Sequence, residues 1–320
     1  MSSPLRTAFI LQIHKNPEQV NKFVHQLISG DKADVFIHID KKSREHLSGK
    51  IITGPNVITL DESIDCEWGD ISQVDTTLLL LKAVVATERE YDFICLRSGQ
   101  DLLIKEGFRE FLEDHQRNIF MTFRLMERNE LGLMRLYWPK ITRRRYTTAH
   151  PIRVYRRMLL TLYRRRLNLL PNMKKWPKEI SFYKGSQWFS IPYSAASYIL
   201  EFLEGNEWYY RYFKNTLVPD ESFFQTLIMN SPYRKAVINN NLYAFKWGET
   251  LSERNSPQDL TREDIPMMEV SNQFFARKFD ESKDSFVVQY FTSKVDFSSG
   301  RKIRQYKVYS KSNVSIKNQI

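Results

Sequence analysis

Two adjacent carboxylates, Asp220 and Glu221, follow Pro219 and precede an apolar run in the segment LVPDESFFQTLIMN. A carboxylate kept ionised at the start of a helix can act as a general base toward a hydroxyl group, which is typically worth roughly 10²–10⁴ in rate. Helix chemistry alone explains the same residues, because proline suits the first turn and the helix dipole stabilises carboxylates there. The pattern predicts a helix that begins at these residues and leaves both interpretations open.

Positive charge suited to an anionic leaving group occurs at Lys278 in FFARKFD and at Arg254 in SERNSPQDL. If both side chains converge on a diphosphate, they supply the charge that a metal ion otherwise provides. Each is equally consistent with an ordinary surface cation. The chain has no Asp-x-Asp motif, which metal-dependent nucleotide-sugar enzymes usually carry, and neither common glycine-rich phosphate loop. We therefore expect no metal ion and no cofactor.

Apolar segments that alternate with helical material must position these side chains. The strand candidates are TAFILQIH (7–14), DVFIHID (34–40), VITL (57–60) and YDFICLRS (91–98). Such alternation predicts an α/β fold with a mostly parallel sheet that is covered by helices on both faces. Sheets of this kind bind ligands at the carboxyl ends of their strands.

Polar residues stand at those strand ends, namely His14, Asp40 and the stretch from Ser98 to Asp101. His14 and Asp40 are candidates for hydrogen bonds to a nucleobase or a ribose. Solvated polar residues that merely end a strand are the alternative for each of them. The sequence therefore leaves both a nucleotide site and ordinary strand ends open at this edge of the sheet.

Two tryptophans are candidate sugar-binding residues, Trp188 in GSQW and Trp247 in FKWG. The apolar side of a pyranose ring packs on aromatic faces, but most tryptophans belong to the core. Neither residue distinguishes these alternatives by itself.

The net charge of +11 is concentrated in one segment. Residues 131–178 contain fourteen Lys and Arg and no Asp or Glu, so the remainder carries 34 minus 37, or −3. Read as a helix from Pro151, this segment has Ile152, Tyr155, Leu159 and Leu162 on one side and Arg153, Arg156, Arg157 and Arg164 on the adjoining face. A basic amphipathic helix suits an anionic membrane surface. Nucleic-acid phosphates or a merely solvated insertion are the alternatives.

The composition is that of a folded globular protein, with 42% hydrophobic residues among 320. Two cysteines, Cys66 and Cys95, are too few for a disulfide framework and indicate a reducing compartment. No apolar run approaches the ~18 residues of a membrane span. The predicted organisation is a nucleotide-binding half (1–130), a basic helical insertion (131–178), an acceptor and catalytic half of the same domain (179–285) and a polar basic tail (286–320).

Seven segments together resemble the core-2/I-branching β-1,6-N-acetylglucosaminyltransferases and their peptide O-xylosyltransferase relatives. They are AFILQIHKNP, VFIHIDKKS, EWGDISQVDTTLLLLKA, YDFICLRSGQDLLIK, GSQWFSIP, VPDESFFQTLIMNSPYR and FFARKFD, in the family's order from about residue 7 to 280. The basic segment and the tail after about residue 285 lie outside the resemblance. It implies a GT-A-type nucleotide-sugar transferase fold, with a mixed, mostly parallel sheet flanked by helices. It also implies inverting, metal-independent transfer from a UDP-sugar.

The resemblance also implies roles for individual residues. Glu221 falls on the catalytic base, and Lys278 falls on a cation that contacts the diphosphate. Asp220 is left to cap the helix and is also a candidate for binding the sugar or the acceptor. Arg254 is near the family's second diphosphate cation, but only across a small gap. The nucleotide and sugar positions fall on His14, Asp40, Ser98, Asp101 and Trp247, while Glu249 replaces a tyrosine of some members.

These implications lead to one expected function and several rivals. Animal members have a signal anchor and many cysteines, so this chain is expected to be a bacterial cytoplasmic enzyme working at the inner membrane face. It would move a sugar, most simply GlcNAc, from a UDP-sugar to a hydroxyl of a glycan or lipid-linked glycan acceptor in surface polysaccharide synthesis. UDP-xylose is the alternative donor. A basic nucleic-acid-binding protein and a catalytically silent sugar-binding relative are the rivals from other classes.

Overall fold

The computed structural model describes residues 5–87, 89–250 and 256–298. The strands are β1 (Thr7–Ile13), β2 (Ala33–Ile39), β3 (Val57–Thr59), β4 (Phe93–Ser98), β5 (Leu102–Leu103), β6 (Ile119–Met121), β7 (Arg124–Leu125), β8 (Tyr183–Lys184), β9 (Phe189–Pro192), β10 (Val237–Asn239), β11 (Tyr243–Phe245) and β12 (Phe275–Arg277). The helices are α1 (Pro17–Ile28), α2 (Arg44–Leu47), α3 (Ser72–Val85), α4 (Phe108–Asp114), α5 (Gly132–Arg135), α6 (Pro151–Arg164), α7 (Tyr193–Gly205), α8 (Glu207–Phe213), α9 (Phe223–Met229), α10 (Ile265–Val270) and α11 (Ser285–Lys294).

A seven-stranded sheet in the order β10-β6-β9-β4-β1-β2-β3 forms the central layer. β1 pairs in parallel with both β2 and β4, β2 pairs in parallel with β3, and β10 with β6. Only β9 runs antiparallel to its neighbours within this sheet, β4 and β6. Two smaller sheets have the orders β11-β12-β5 and β7-β8. The predicted mixed, mostly parallel α/β architecture is confirmed.

The sheet forms where the sequence is continuously apolar, because strands buried on both faces cannot alternate with polar residues. Every residue of β2 is buried, and so are all but one of β1. Helix α1 buries Val20, Phe23, Val24 and Leu27, the residues at helical spacing in the sequence. The parallel register therefore brings the carboxyl ends of β1, β2 and β4 side by side.

The apolar core extends further along the chain than composition indicated. Residues 286–298 were assigned to the polar tail, but α11 buries Val287, Val288 and Phe291. The ring of Phe297 packs edge-on against Phe9, with centroids 5.3 Å apart. These residues belong to the core, because their few apolar side chains coincide with the buried side of a short helix. Residues 299–320 lie outside the described part of the chain.

The basic segment packs against the protein through one face of α6, which begins at Pro151 as predicted. Leu159 of this helix is buried in a small second cluster with Leu136, Trp138 and Leu217. The apolar side of the helix is therefore already covered by protein. What remains open to solvent is a face with exposed Arg157 and Arg164.

The structure corrects the prediction that Arg156 faces a membrane together with its neighbours. Arg156 is only 7% exposed, and its guanidinium lies 5.5 Å from the ring centroid of Tyr146 and 5.9 Å from that of Trp68. Burial, with the nearby charge of Arg153, lowers the pKa of Arg156. The helical spacing that buries Leu159 also turns position 156 inward.

Across the described ranges, no helix is both long and apolar enough to traverse a bilayer.

Candidate active site

A cleft of about 640 Å³ opens at the carboxyl ends of β1, β2 and β4. Eight of the residues singled out from sequence line it: His14, Asp40, Ser98, Trp188, Asp220, Glu221, Trp247 and Lys278. They come from both predicted halves of the domain. The fold thus brings the strand-end polar residues, a cation and the carboxylate pair to one space.

His14 and Asp40 line this cleft directly after β1 and β2. They follow the paired last residues of β1 and β2, and the Asp40 backbone N–H donates to the carbonyl of Ile13 at 2.9 Å. One carboxylate oxygen of Asp40 accepts a hydrogen bond from the backbone N–H of Lys42. Burial and the charge of Lys15 lower the pKa of His14, so its imidazole is neutral at neutral pH. A neutral imidazole beside a carboxylate can hydrogen-bond the polar groups of a nucleoside.

Asp101 lies beneath the cleft wall instead of lining it. Its carboxylate accepts hydrogen bonds from the backbone N–H and the hydroxyl of Ser98, at 2.7 and 3.0 Å, and from the Tyr243 hydroxyl at 2.7 Å. It also lies 3.5 Å from Nε of Arg277. Asp101 therefore shapes the wall and anchors an arginine, a role different from the nucleotide contact expected from sequence.

Lys278 lines the cleft with its Nζ hydrogen-bonded to the hydroxyl of Ser256. Burial, together with the charges of Arg277 and Arg145, lowers the pKa of Lys278 to about 8. The amine is therefore still mostly protonated near neutral pH, and a bound anion would stabilise it further. Arg254, the second cation considered from sequence, lies outside the described residues.

Arg277 is a site residue that the sequence reasoning missed. It lines the cleft with its guanidinium 4.1 Å from the ring centroid of Trp188. Its side chain is only 8% exposed, and Nε and Nη1 make no hydrogen bond within the described part of the chain. The Arg-Lys pair in FFARKFD was the available signal. Alternation along a strand argues against both side chains reaching one ligand, yet both line this cleft.

Asp220 does not cap the following helix, contrary to expectation. Pro219–Glu221 forms a separate 3-10 turn, and α9 starts only after Ser222, with no side-chain capping bond from either cap residue. One carboxylate oxygen of Asp220, Oδ1, is buried without a hydrogen-bond partner in the described residues. Burial and the adjacent Glu221 raise the pKa of Asp220 to about 7.

Glu221 occupies a more open position than its neighbour. Its side chain is 39% exposed, and Oε2 lies 3.2 Å from Nζ of Lys184. Its carbonyl accepts a hydrogen bond of 2.8 Å from the backbone N–H of Gly185. Position 185 must be glycine, because a Cβ there would lie 1.8 Å from the carbonyl oxygen of Thr122. The hydrogen bond from Gly185 to Glu221 holds the strand that carries Lys184 against the turn formed by Pro219–Glu221.

The two predicted sugar-binding tryptophans lie in different surroundings. Trp188 is 9% exposed, and its ring packs against the guanidinium of Arg277. The ring therefore supports this arginine and leaves little surface for a sugar. Trp247 is 52% exposed at the cleft and is free to stack on a sugar. Trp68 lines the same cleft and is 45% exposed. Its position in EWGD gave no hint of this.

Within residues 5–87, 89–250 and 256–298, no group of three or more His, Cys, Asp or Glu side chains is arranged to hold a metal ion.

Comparisons with known proteins agree with the resemblance in the sequence. The model of the Core-2/I-Branching enzyme family matches residues 7–269. A xylosyltransferase of Ciona intestinalis is 23% identical over 318 residues, covering 91% of this chain and 34% of the relative. Human xylosyltransferase 1 is 24% identical over 312 residues, covering 87% of this chain and 29% of the relative. The chain thus spans about a third of the length of the curated relatives it matches.

Among solved structures, mouse xyloside xylosyltransferase 1 in its apo form aligns with a TM-score of 0.36 and 12% identity, over 85% of this chain and 97% of that one. The family match runs from β1 into α10 and includes Glu221 and most of the cleft. The family expected from sequence is confirmed. The chain belongs to the Core-2/I-Branching enzyme family, a family of glycosyltransferases.

Proposed function

We propose that this protein is an inverting glycosyltransferase that moves a sugar from a UDP-sugar to a hydroxyl group of a glycan acceptor, without a metal ion. The observation that carries the proposal is the convergence of three kinds of group on one cleft. Strand-end polar residues, the Arg277–Lys278 pair and Glu221 all line the same space. A nucleoside, a diphosphate and an acceptor hydroxyl require these three chemistries in one place.

The proposed reaction is a single in-line displacement. The acceptor oxygen forms a bond to the anomeric carbon while the bond from that carbon to the UDP oxygen breaks, and the electron pair leaves with the diphosphate. Glu221 takes the acceptor proton. An α-linked donor would give a β-linked product, because attack comes from the face opposite UDP. Holding both substrates in one cleft supplies much of the rate enhancement.

Arg277 and Lys278 stabilise the leaving group in this proposal. Charge develops on the diphosphate oxygens as the bond to the sugar breaks, and preorganised cations in a partly buried wall stabilise that charge strongly. Arg277 lines the cleft, and the planar fork of N–H donors of a guanidinium matches the geometry of diphosphate oxygens. Lysine and arginine would thereby take the role that a divalent metal has in other nucleotide-sugar enzymes.

The donor sugar is proposed as GlcNAc, with xylose as the second candidate. Xylose gains support from the names of the curated relatives, which are xylosyltransferases. Trp247 is exposed enough to stack on either sugar or on the acceptor.

The acceptor is proposed to be a lipid-linked glycan of surface polysaccharide synthesis, reached from the inner face of an anionic membrane. Of the fourteen cations in residues 131–178, only Arg143 and Arg144 form ion pairs with carboxylates of the described residues. The outward part of α6 presents exposed Arg157 and Arg164 together with exposed Val154 and Met158. Uncompensated basic charge with apolar side chains is typical of peripheral membrane surfaces.

The proposal is tested by thermal denaturation with UDP, UDP-GlcNAc and UDP-xylose, each with and without EDTA. A ligand that binds the folded state raises the melting temperature. We expect UDP and one UDP-sugar to stabilise the protein equally in both conditions. Stabilisation that EDTA abolishes would overturn metal independence. No stabilisation by any UDP compound, together with salt-dependent binding of duplex DNA, would favour the nucleic-acid-binding rival.

A further inference from the structure

Lys184 approaches Glu221 from outside the lining of the cleft. Its Nζ lies 3.2 Å from Oε2 of Glu221 and 4.0 Å from Oε1 of Glu130. Lys184 itself does not line the cleft. The lysine therefore leaves the space in front of the carboxylate open to an acceptor.

The backbone that carries Lys184 is fixed against the carboxylate turn on two sides. β8 pairs antiparallel with β7, where Lys184 is opposite Arg124. On the other side the Tyr183 N–H donates to the hydroxyl of Thr226 in α9 at 3.0 Å. The Gly185 N–H donates to the Glu221 carbonyl at 2.8 Å. Lys184 and Glu221 thus belong to one hydrogen-bonded unit, so their separation does not depend on a flexible loop.

Lys184 belongs to a row of alternating charges that also includes Glu130 and Arg124. The guanidinium of Arg124 forms a two-pronged ion pair with Glu130, and this pair, together with smaller effects of Lys184, lowers the pKa of Glu130. The Lys184 side chain is only 24% exposed. Its amine lies near two carboxylates, those of Glu130 and Glu221. A cation held from behind in this way restricts where the Glu221 side chain can go. An isolated glutamate with 39% of its side chain exposed would sample several rotamers.

We propose that Lys184 is a positioning residue that holds the Glu221 carboxylate in the single orientation from which it takes the acceptor proton. This inference rests on the proposed role of Glu221 as the base. Lys184 engages Oε2, which leaves Oε1 as the oxygen that receives the proton from the acceptor hydroxyl. The lysine transfers no proton and touches neither substrate.

The kinetic test compares Lys184→Met with Lys184→Arg. The methionine variant removes the charge while keeping most of the volume, and we expect kcat to fall roughly tenfold because a misplaced reacting group loses the benefit of orientation. KM for the donor should stay within about twofold, since the donor wall is untouched. The arginine variant should recover most of kcat. A loss in KM alone, an unchanged kcat, or a loss that arginine does not restore would overturn the role of Lys184.

A matched control is Lys294→Met, which removes a lysine that pairs with Glu269 at the end of α11. The same chemical change there should leave kcat and KM unaltered. An equal loss in this control would mean that the effect at Lys184 is general.

A substrate-free measurement separates this inference from the proposed function. In a double-mutant cycle, Lys184→Met should lower the melting temperature in the native background and much less in the Glu221→Gln background, because the partner charge is already gone. Additive melting temperatures would overturn the positioning role even if the native chain transfers sugar. Coupled melting temperatures in a chain that turns over no UDP-sugar would overturn the proposed function instead.

Discussion

Positive charge occurs in two regions of this protein under opposite conditions. Arg277 and Lys278 lie in the wall of a cleft, where the arginine is 7% exposed and its Nη1 makes no hydrogen bond within the described residues. The cations on the outward face of α6, such as Arg157 and Arg164, are exposed and donate to backbone carbonyls of Thr148 and Asn129. Charges in a poorly solvated wall act strongly on one ligand, whereas exposed charges are screened and act only in number. Substitutions in the two regions should therefore affect different measurements.

The largest expected effect of the two regions is on transfer, at Lys278 in the cleft. Lys278→Met should lower kcat/KM for the UDP-sugar by roughly 10²–10³, because it removes a preorganised donor to the leaving group. Steady-state kinetics with a radiolabelled donor measure it. The Lys294→Met variant serves as control, and a loss below about fivefold would contradict the assignment of Lys278 to the diphosphate.

A smaller effect should appear at the basic segment and only in the presence of membranes. The double variant Arg157→Gln and Arg164→Gln should weaken binding to phosphatidylglycerol-containing vesicles by roughly 30-fold, at about 1 kcal/mol per basic residue. Transfer to a soluble acceptor should stay within about twofold of native. Vesicle flotation gives the first value, with Arg211→Gln on α8 as the matched control. Equal binding to neutral phosphatidylcholine vesicles would remove the membrane role.

The pH dependence of UDP binding tests the cleft cation further. Because the pKa of Lys278 is lowered to about 8, the amine loses its charge as pH rises through that value, and affinity for an anionic ligand falls. Calorimetric titration should show UDP binding roughly tenfold weaker near pH 9 than near pH 7. Lys278→Arg should flatten this dependence, because arginine stays protonated. The same slope in that variant would contradict the assignment.

The smallest effect concerns Asp220 and the stability of the fold. Its pKa is raised to about 7 from the ordinary 3.8, so the folded state keeps a proton that the unfolded chain has lost, and stability falls as pH rises between these values. Asp220→Asn removes this contribution, so its melting temperature relative to native should rise by a few degrees from about pH 4 to about pH 7.5. The fully exposed Asp61, changed to Asn, provides the control. Parallel melting curves for Asp220→Asn and the native chain would contradict the burial argument.

Much of the fold and part of the site could be predicted because they depend on local pattern. Continuous apolar runs locate β1, β2 and β4, and the polar residues after them fall at one sheet edge. His14 and Asp40 reach the cleft for that reason. The seven family-like segments supplied Glu221 and Lys278, which periodicity alone did not separate from helix capping and surface charge.

The remainder depends on contacts between distant segments, which a single sequence does not encode locally. Arg277 joins the cleft because it lies on Trp188, 89 residues earlier in the sequence. The inward position of Arg156 follows from packing against Trp68 and Tyr146. Asp220 was expected at a helix cap, but Glu221 and Ser222 separate it from α9, and the surrounding fold buries its Oδ1.

The comparison between Glu221→Gln and the native chain tests the central claim most directly. Transfer from the UDP-sugar and UDP affinity should be measured on the same preparation. We predict that transfer falls by at least about 100-fold, as expected for loss of a general base, while UDP affinity stays within about twofold. A variant that keeps more than a few per cent of transfer, or that loses UDP binding along with it, would contradict Glu221 as the base in the cleft that the Arg277–Lys278 pair also lines.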